Sequence, residues 1–70
     1  MTREEQVQAY MDRVTTYCKG VSEQIVVFCT NNIKRYTSAT PLTERAKVIT
    51  SIRLEAFTRL LDKHRQLELF

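Results

Sequence analysis

Residues 7–28, VQAYMDRVTTYCKGVSEQIVVF, place an apolar side chain at steps that alternate between four and three residues. The apolar seam defined by these steps consists of Val7, Met11, Val14, Cys18, Val21, Ile25 and Phe28. This alternation is the a/d repeat of a helical heptad, sustained here for three repeats. A helix cannot bury its own seam. The stretch therefore predicts a long helix that associates with a partner, and the seam is its predicted oligomer interface.

Capping signals mark where two helices begin. Thr2 followed by Glu5 forms a capping box, so helix one is expected over about residues 3–36. Residues 37–41, TSATP, interrupt the helical pattern. Thr40 as N-cap and Pro41 at the first helical position predict helix two over about residues 42–67, and residues 1–70 are expected to form a single helical domain. The apolar stripe of helix two comprises Leu42, Ala46, Ile49, Ile52, Ala56, Phe57, Leu60, Leu61 and Leu67.

Gly20, the only glycine, is the weak point of helix one. A glycine inside a helix costs about 1 kcal/mol relative to alanine, and Lys19-Gly20 followed by Ser22 is also compatible with a helix end and a new start. The heptad nevertheless passes this position without a change of phase. We therefore expect a continuous or merely kinked helix, and the alternative is a break at Gly20 that gives three helices.

The expected fold is all-α. A short linker between two long helices predicts an antiparallel helical hairpin. Both apolar stripes are wider than the single line of contact that two helices share. The simplest closure is a homodimer of hairpins that forms a four-helix bundle, and the competing closure is a different protein that supplies the missing helices.

Composition favours a small intracellular protein. The 70 residues carry a net charge of +3 from 11 basic and 8 acidic side chains, which permits a polyanionic partner without requiring one. Cys18 and Cys29 would lie about 16 Å apart on a continuous helix, too far for a disulfide bond, so both are expected to be reduced structural thiols. The longest apolar run, residues 25–29, is too short to span a membrane. These features predict a cytoplasmic protein without a membrane segment.

Arg53 is the strongest violation of the pattern, because a helical projection places it inside the apolar stripe of helix two. In an antiparallel hairpin it would lie near residues 22–25, where Glu23 points away from the seam. An unpaired buried charge costs several kcal/mol. Its stem could pack while its charged end reaches solvent or pairs across the bundle. The functional alternative is that Arg53 binds a carboxylate or phosphate of another chain or a ligand.

Other candidate site residues border the two stripes. Tyr10 and Tyr17 flank the seam of helix one and are suited either to packing or to recognition. The basic border of helix two is formed by Arg45, Arg59 and Lys63. His64, at the edge of the stripe, lacks the neighbours that a metal site needs and is expected to be a packed histidine.

The sequence contains no recognisable catalytic constellation, metal-ligand cluster or cofactor motif, which favours a non-enzymatic protein. We expect a small regulator, inhibitor or chaperone-like adaptor that binds another protein through a helical face. The alternatives are a dimer that binds nucleic acid, and an oligomer that binds a small anionic nucleotide around Arg53.

The predicted plan resembles that of the small plasmid-encoded RNA-binding dimers that regulate copy number. The opening Met1-Thr2-Arg3-Glu4-Glu5 is similar to theirs, whereas the linker, the core pattern and the basic positions differ. The resemblance implies an RNA-binding helical-hairpin dimer.

Overall fold

Three α-helices form the protein in the computed structural model, which describes residues 1–68 and the side chains of residues 1–65. They are α1 (Arg3–Tyr17), α2 (Ser22–Ser38) and α3 (Glu44–Glu68). Residues 1–68 contain no β-strand. The predicted all-α class is therefore confirmed.

The capping box at the start of α1 is confirmed. The backbone N–H of Glu5 donates to Thr2 Oγ1 at 3.2 Å, and the backbone N–H of Thr2 donates to Glu5 Oε1 at 3.1 Å. The start of α3 differs from the prediction. Its first turn is capped by Thr43, whose Oγ1 accepts from the backbone N–H of Ala46 at 3.0 Å. The helix consequently begins at Glu44 and not at residue 42.

The predicted continuous helix one is wrong, and the three-helix alternative is right. Lys19 and Gly20 both adopt left-handed backbone conformations, with φ of 55° and 72°. The Gly20 N–H donates to the Thr15 carbonyl, and the Lys19 N–H donates to the Thr16 carbonyl. These two hydrogen bonds form the Schellman motif that ends a helix. The heptad could not reveal this break, because a reversal of the chain leaves the spacing of the apolar residues unchanged.

The direction of the helices follows from four contacts along α3. Arg3, at the start of α1, donates to Ser51 Oγ, and the ring of Tyr10, further along α1, lies 5.5 Å from that of Phe57. Ser22, at the start of α2, lies 2.9 Å from His64 Nδ1. Tyr36, near the end of α2, accepts from Arg53 at 2.9 Å. α1 therefore runs parallel to α3, α2 runs antiparallel to it, and α3 is the helix on which both pack.

Most of the predicted oligomer seam is used inside the protomer. Val7, Val14, Cys18 and Ile25 are buried in the core that α3 completes. Because they face α3, these four side chains do not form an interface between copies of this fold. Met11 and Phe28 are partly buried against the same core, and Val21 is exposed. Dimerisation itself stays a prediction.

The core centres on Phe57, which is fully buried. Its ring centroid lies 5.5 Å from that of Tyr10, 5.9 Å from that of Tyr36 and 6.1 Å from that of Phe28. These rings come from α1 and α2. One side chain of α3 therefore joins all three helices.

The predicted stripe of helix two is only partly correct. Of its members, Leu42, which precedes α3, and Ile49 are exposed, because Tyr36 contacts Arg53 and the first two turns of α3 extend beyond the end of α2. Leu67 lies outside the residues whose side chains are described.

The turn at Lys19 leads to a stability prediction. A left-handed conformation costs an L-residue about 1 to 2 kcal/mol and costs glycine almost nothing. We expect Lys19→Gly to raise the free energy of unfolding by about 1 kcal/mol in urea denaturation followed by circular dichroism. The matched control is Lys34→Gly, in the interior of α2, which should lower it by about 1 kcal/mol. Equal losses in both variants would contradict the assigned backbone conformation.

Candidate protein-interaction groove

Arg53 extends from the middle of α3 between two tyrosine rings. Its guanidinium carbon lies 5.3 Å from the ring centroid of Tyr10 on α1 and 6.0 Å from that of Tyr36 on α2. One guanidinium N–H donates to the Tyr36 hydroxyl at 2.9 Å. A cation over aromatic faces is stabilised by the negative potential of the rings. These contacts within the protein agree with the structural alternative, in which the stem of Arg53 packs and its charged end pairs across the bundle.

The predicted neighbourhood of Arg53 is wrong. It contacts residues near the end of α2 and not residues 22–25, because α2 and α3 are staggered. Within the described side chains, Arg53 has no ion pair with a carboxylate, whereas Arg3 and Lys47 each have one and Arg59 has two. Burial raises the pKa of Tyr10, while the charge of Arg53 acts in the opposite direction. The tyrosine hydroxyl is therefore neutral near pH 7, and the arginine charge is not neutralised by it.

A groove separates α1 from α2, and Arg53 lies at one end of it. Two adjoining depressions form this α1–α2 groove, with volumes of about 290 Å³ and 560 Å³. The smaller one is lined by Tyr10, Arg13, Val14, Tyr17, Phe28 and Arg53. The larger one extends from Tyr17 and Phe28 to Val21, Glu23 and Val27. The rings of Tyr17 and Phe28 line both depressions, and their centroids are 5.2 Å apart.

The groove exposes large apolar side chains. Tyr17 is 74% exposed, Val27 is 55% exposed and Val21 is 44% exposed. Such residues are common singly on a protein surface, but here they line one continuous depression between two helices. The arrangement is typical of a surface that a partner covers.

Three of the six predicted binding residues meet at this groove, namely Tyr10, Tyr17 and Arg53. The other three do not line it. Arg59 donates to both carboxylate oxygens of Glu4, at 2.6 Å and 3.0 Å, and pairs with Glu55 at 3.2 Å. The hydrogen bond from Arg59 lowers the pKa of Glu4. Arg45 and Lys63 are exposed on α3 away from the groove.

Several groove residues were not predicted as binding residues, among them Arg13, Glu23 and Val27. Arg13 follows Tyr10 by three residues and precedes Tyr17 by four, so helical spacing alone could have placed it on the same face. Val27 faces the groove only because α2 is a separate helix. No local signal identified it.

The histidine and the two thiols belong to the core. His64 is 8% exposed and lies 2.9 Å from Ser22 Oγ, which confirms the prediction of a packed histidine. Cys18 and Cys29 are free, buried thiols in one apolar cluster. The distance argument against a bridge assumed a continuous helix and does not apply. In the described part of the chain, no group of three or more His, Cys, Asp or Glu side chains is placed to hold a metal ion.

Comparison of the chain with protein-family models, with curated proteins and with solved structures finds no match. None of the helices, over the residues described, has the length and apolar character needed to cross a bilayer.

Proposed function

We propose that this chain is a small non-enzymatic interaction protein that binds an apolar helical face of a protein partner in the α1–α2 groove. The observation that carries the proposal is the exposure of Tyr17 and Val27 in one depression beside Arg13 and Arg53. Tyrosine and arginine are enriched at the energetic centres of protein interfaces. A partner helix would insert apolar residues spaced by three and four positions.

The helix arrangement suits a helical occupant. α1 and α2 both pack on α3 and lie side by side across the groove. A further helix laid in the groove would contact both of them and complete a four-helix arrangement, in which each helix has two neighbours. The apolar surface of Tyr17, Val21 and Val27 would then be removed from water, which is favourable in proportion to its area.

The chemistry of the groove favours binding over catalysis. Cys18 is the thiol at its edge, but this side chain is 4% exposed and burial raises its pKa, so little of the nucleophilic thiolate is present at neutral pH. Glu23 and Arg13 lie in different depressions. These positions offer no nucleophile beside a general base.

A displayed library of amphipathic helical peptides tests this function. Helices selected on the wild-type protein are expected to lose binding at least tenfold to Tyr17→Asp, because a carboxylate would replace the exposed ring at the centre of the groove. The matched control is Leu42→Asp, an exposed apolar position outside the groove, which should bind the selected helices as wild type does. Undiminished binding to Tyr17→Asp would contradict the proposed site.

A second candidate function is nucleic-acid or nucleotide binding, favoured by the proximity of Arg13 and Arg53 to Tyr10 and Tyr17. Arginine and tyrosine can hold phosphates and stack on bases. This candidate is weakened because Arg59 of the predicted basic border is paired with Glu4 and Glu55. Single-stranded oligonucleotides that bind with an affinity falling steeply as salt increases would favour it over the protein partner.

A further inference from the structure

The α1–α2 groove has opposite charges at its two ends. Arg13 and Arg53 line the smaller depression, and Glu23 lines the larger one. Tyr17 and Phe28 lie between them, since they line both. The groove therefore runs from a positive end, over an aromatic centre, to a negative end.

We propose that a second copy of this chain covers this groove, in a homodimer whose two-fold axis passes through the Tyr17–Phe28 centre at right angles to the groove. The inference rests on the proposed function and names its partner. Rotation about this axis exchanges the two ends of the groove, so Arg13 and Arg53 of each copy face Glu23 of the other. A two-fold axis along the groove would instead bring like charges together.

The same axis accounts for the exposed apolar residues. In an isologous dimer the same patch on both copies is self-complementary, so Tyr17 and Val27 of one copy pack on the corresponding region of the other. The α1–α2 layers of the two copies then stack face to face as four central helices, with each α3 on the outside. A stable interface buries about 800 Å² per partner, roughly one seventh of the 5291 Å² surface of the chain, and a face made by two of its three helices is large enough.

The charge pairing also fits the positions of the residues concerned. Glu23 and Arg13 are both exposed in the isolated chain, and within the described side chains neither has an ion pair. Both are therefore available to the second copy. Arg53 keeps its contact with Tyr36 and has further N–H donors for a carboxylate.

Sedimentation equilibrium of the purified protein over a dilution series tests the dimer. The wild type is expected to be a concentration-dependent dimer, and Tyr17→Asp a folded monomer by circular dichroism. The matched control is Val48→Asp, an exposed apolar position on α3 outside the groove, which should leave the dimer unchanged. A monomeric wild type, or a dimer that Tyr17→Asp leaves intact, would overturn the inference.

A charge exchange tests the orientation of the two copies. Glu23→Arg and Arg13→Glu are each expected to raise the dimer dissociation constant about tenfold, because attraction across the interface becomes repulsion. The double variant should bind more tightly than either single variant, since the pair between positions 13 and 23 is restored with its signs exchanged, although Arg53 still opposes the positive charge at position 23. If the double variant is weaker than both single variants, the proposed two-fold axis is wrong. A monomeric wild type that still binds selected helices would overturn the dimer while supporting the proposed function.

Discussion

Phe57→Ala is expected to remove about a third or more of the folding free energy of this protein. Truncating a fully buried phenylalanine costs about 3 to 5 kcal/mol, from lost apolar burial and from the cavity left behind. A chain of 70 residues has a total stability of about 4 to 10 kcal/mol. The substitution would destabilise the packing of all three helices, because the Phe57 ring contacts aromatic rings from both α1 and α2. Urea denaturation followed by circular dichroism measures it.

Two variants control for this result. Phe57→Leu keeps most of the volume and should cost only about 1 to 1.5 kcal/mol. Leu42→Ala changes a side chain that is 94% exposed and should alter stability by less than about 0.5 kcal/mol. If Phe57→Ala shifted the denaturation midpoint no more than Leu42→Ala does, Phe57 would not be the centre of the core.

The Cys29 thiol is expected to react at least about 100-fold more slowly in the folded protein than in the unfolded chain at pH 8. Burial raises the pKa of Cys29 from 9.0 to about 11, with a smaller contribution from Cys18, so the folded state holds about one hundredth as much thiolate. The side chain is also inaccessible, which slows the reaction further. The rate of modification of Cys18→Ala by a disulfide reagent, without and with denaturing urea, measures the effect on Cys29 alone. Equal rates would contradict the burial of this thiol.

The raised pKa of Cys29 also makes the free energy of unfolding depend on pH. Because the pKa of Cys29 is higher in the folded state, the folded protein holds the thiol proton more tightly than the unfolded chain. The contribution of this group is therefore complete below pH 9 and is lost as the pH rises from 9 toward 11. Urea midpoints measured between pH 8 and pH 11 should fall, and Cys29→Ala should lessen the fall. A Cys29→Ala protein with an unchanged pH profile would exclude the thiol as its cause.

Signals between residues close in the sequence predicted the features that depend on such residues, namely helix ends, the linker and the helical class. The capping box of Thr2 and Glu5 marked the first residue of α1, because both of its hydrogen bonds join residues that are three apart in the sequence. The interruption predicted at residues 37–41 marked a linker, but the structure places it at residues 39–43, because α2 continues to Ser38 and Thr43, not Thr40, caps the following helix. The α-helical class followed from the spacing of three and four residues between apolar side chains. These features depend on neighbours along the chain, so the sequence contains them.

The candidate site was only partly predictable. Arg53 was identified because it lies inside the apolar stripe of its helix, and Tyr10 and Tyr17 because they flank the seam of helix one. Tyr36, which holds the Arg53 guanidinium, depends on the stagger between α2 and α3. The paired state of Arg59 depends on α1 lying parallel to α3. Neither the stagger nor the parallel direction can be predicted from the spacing of apolar residues within a single helix.

The amino-acid sequence by itself determined that the chain is helical, where α1 begins, and that its apolar seam must be covered. The tertiary structure decided what covers it. The heptad is equally compatible with a straight helix that seeks a second chain and with two helices that fold back onto α3. Two left-handed residues, Lys19 and Gly20, select the second outcome. The physical reason is that a Schellman turn reverses the chain without changing the spacing of the apolar residues. The reversal buries Val7 and Ile25 in the core of a single protomer and leaves the α1–α2 groove exposed.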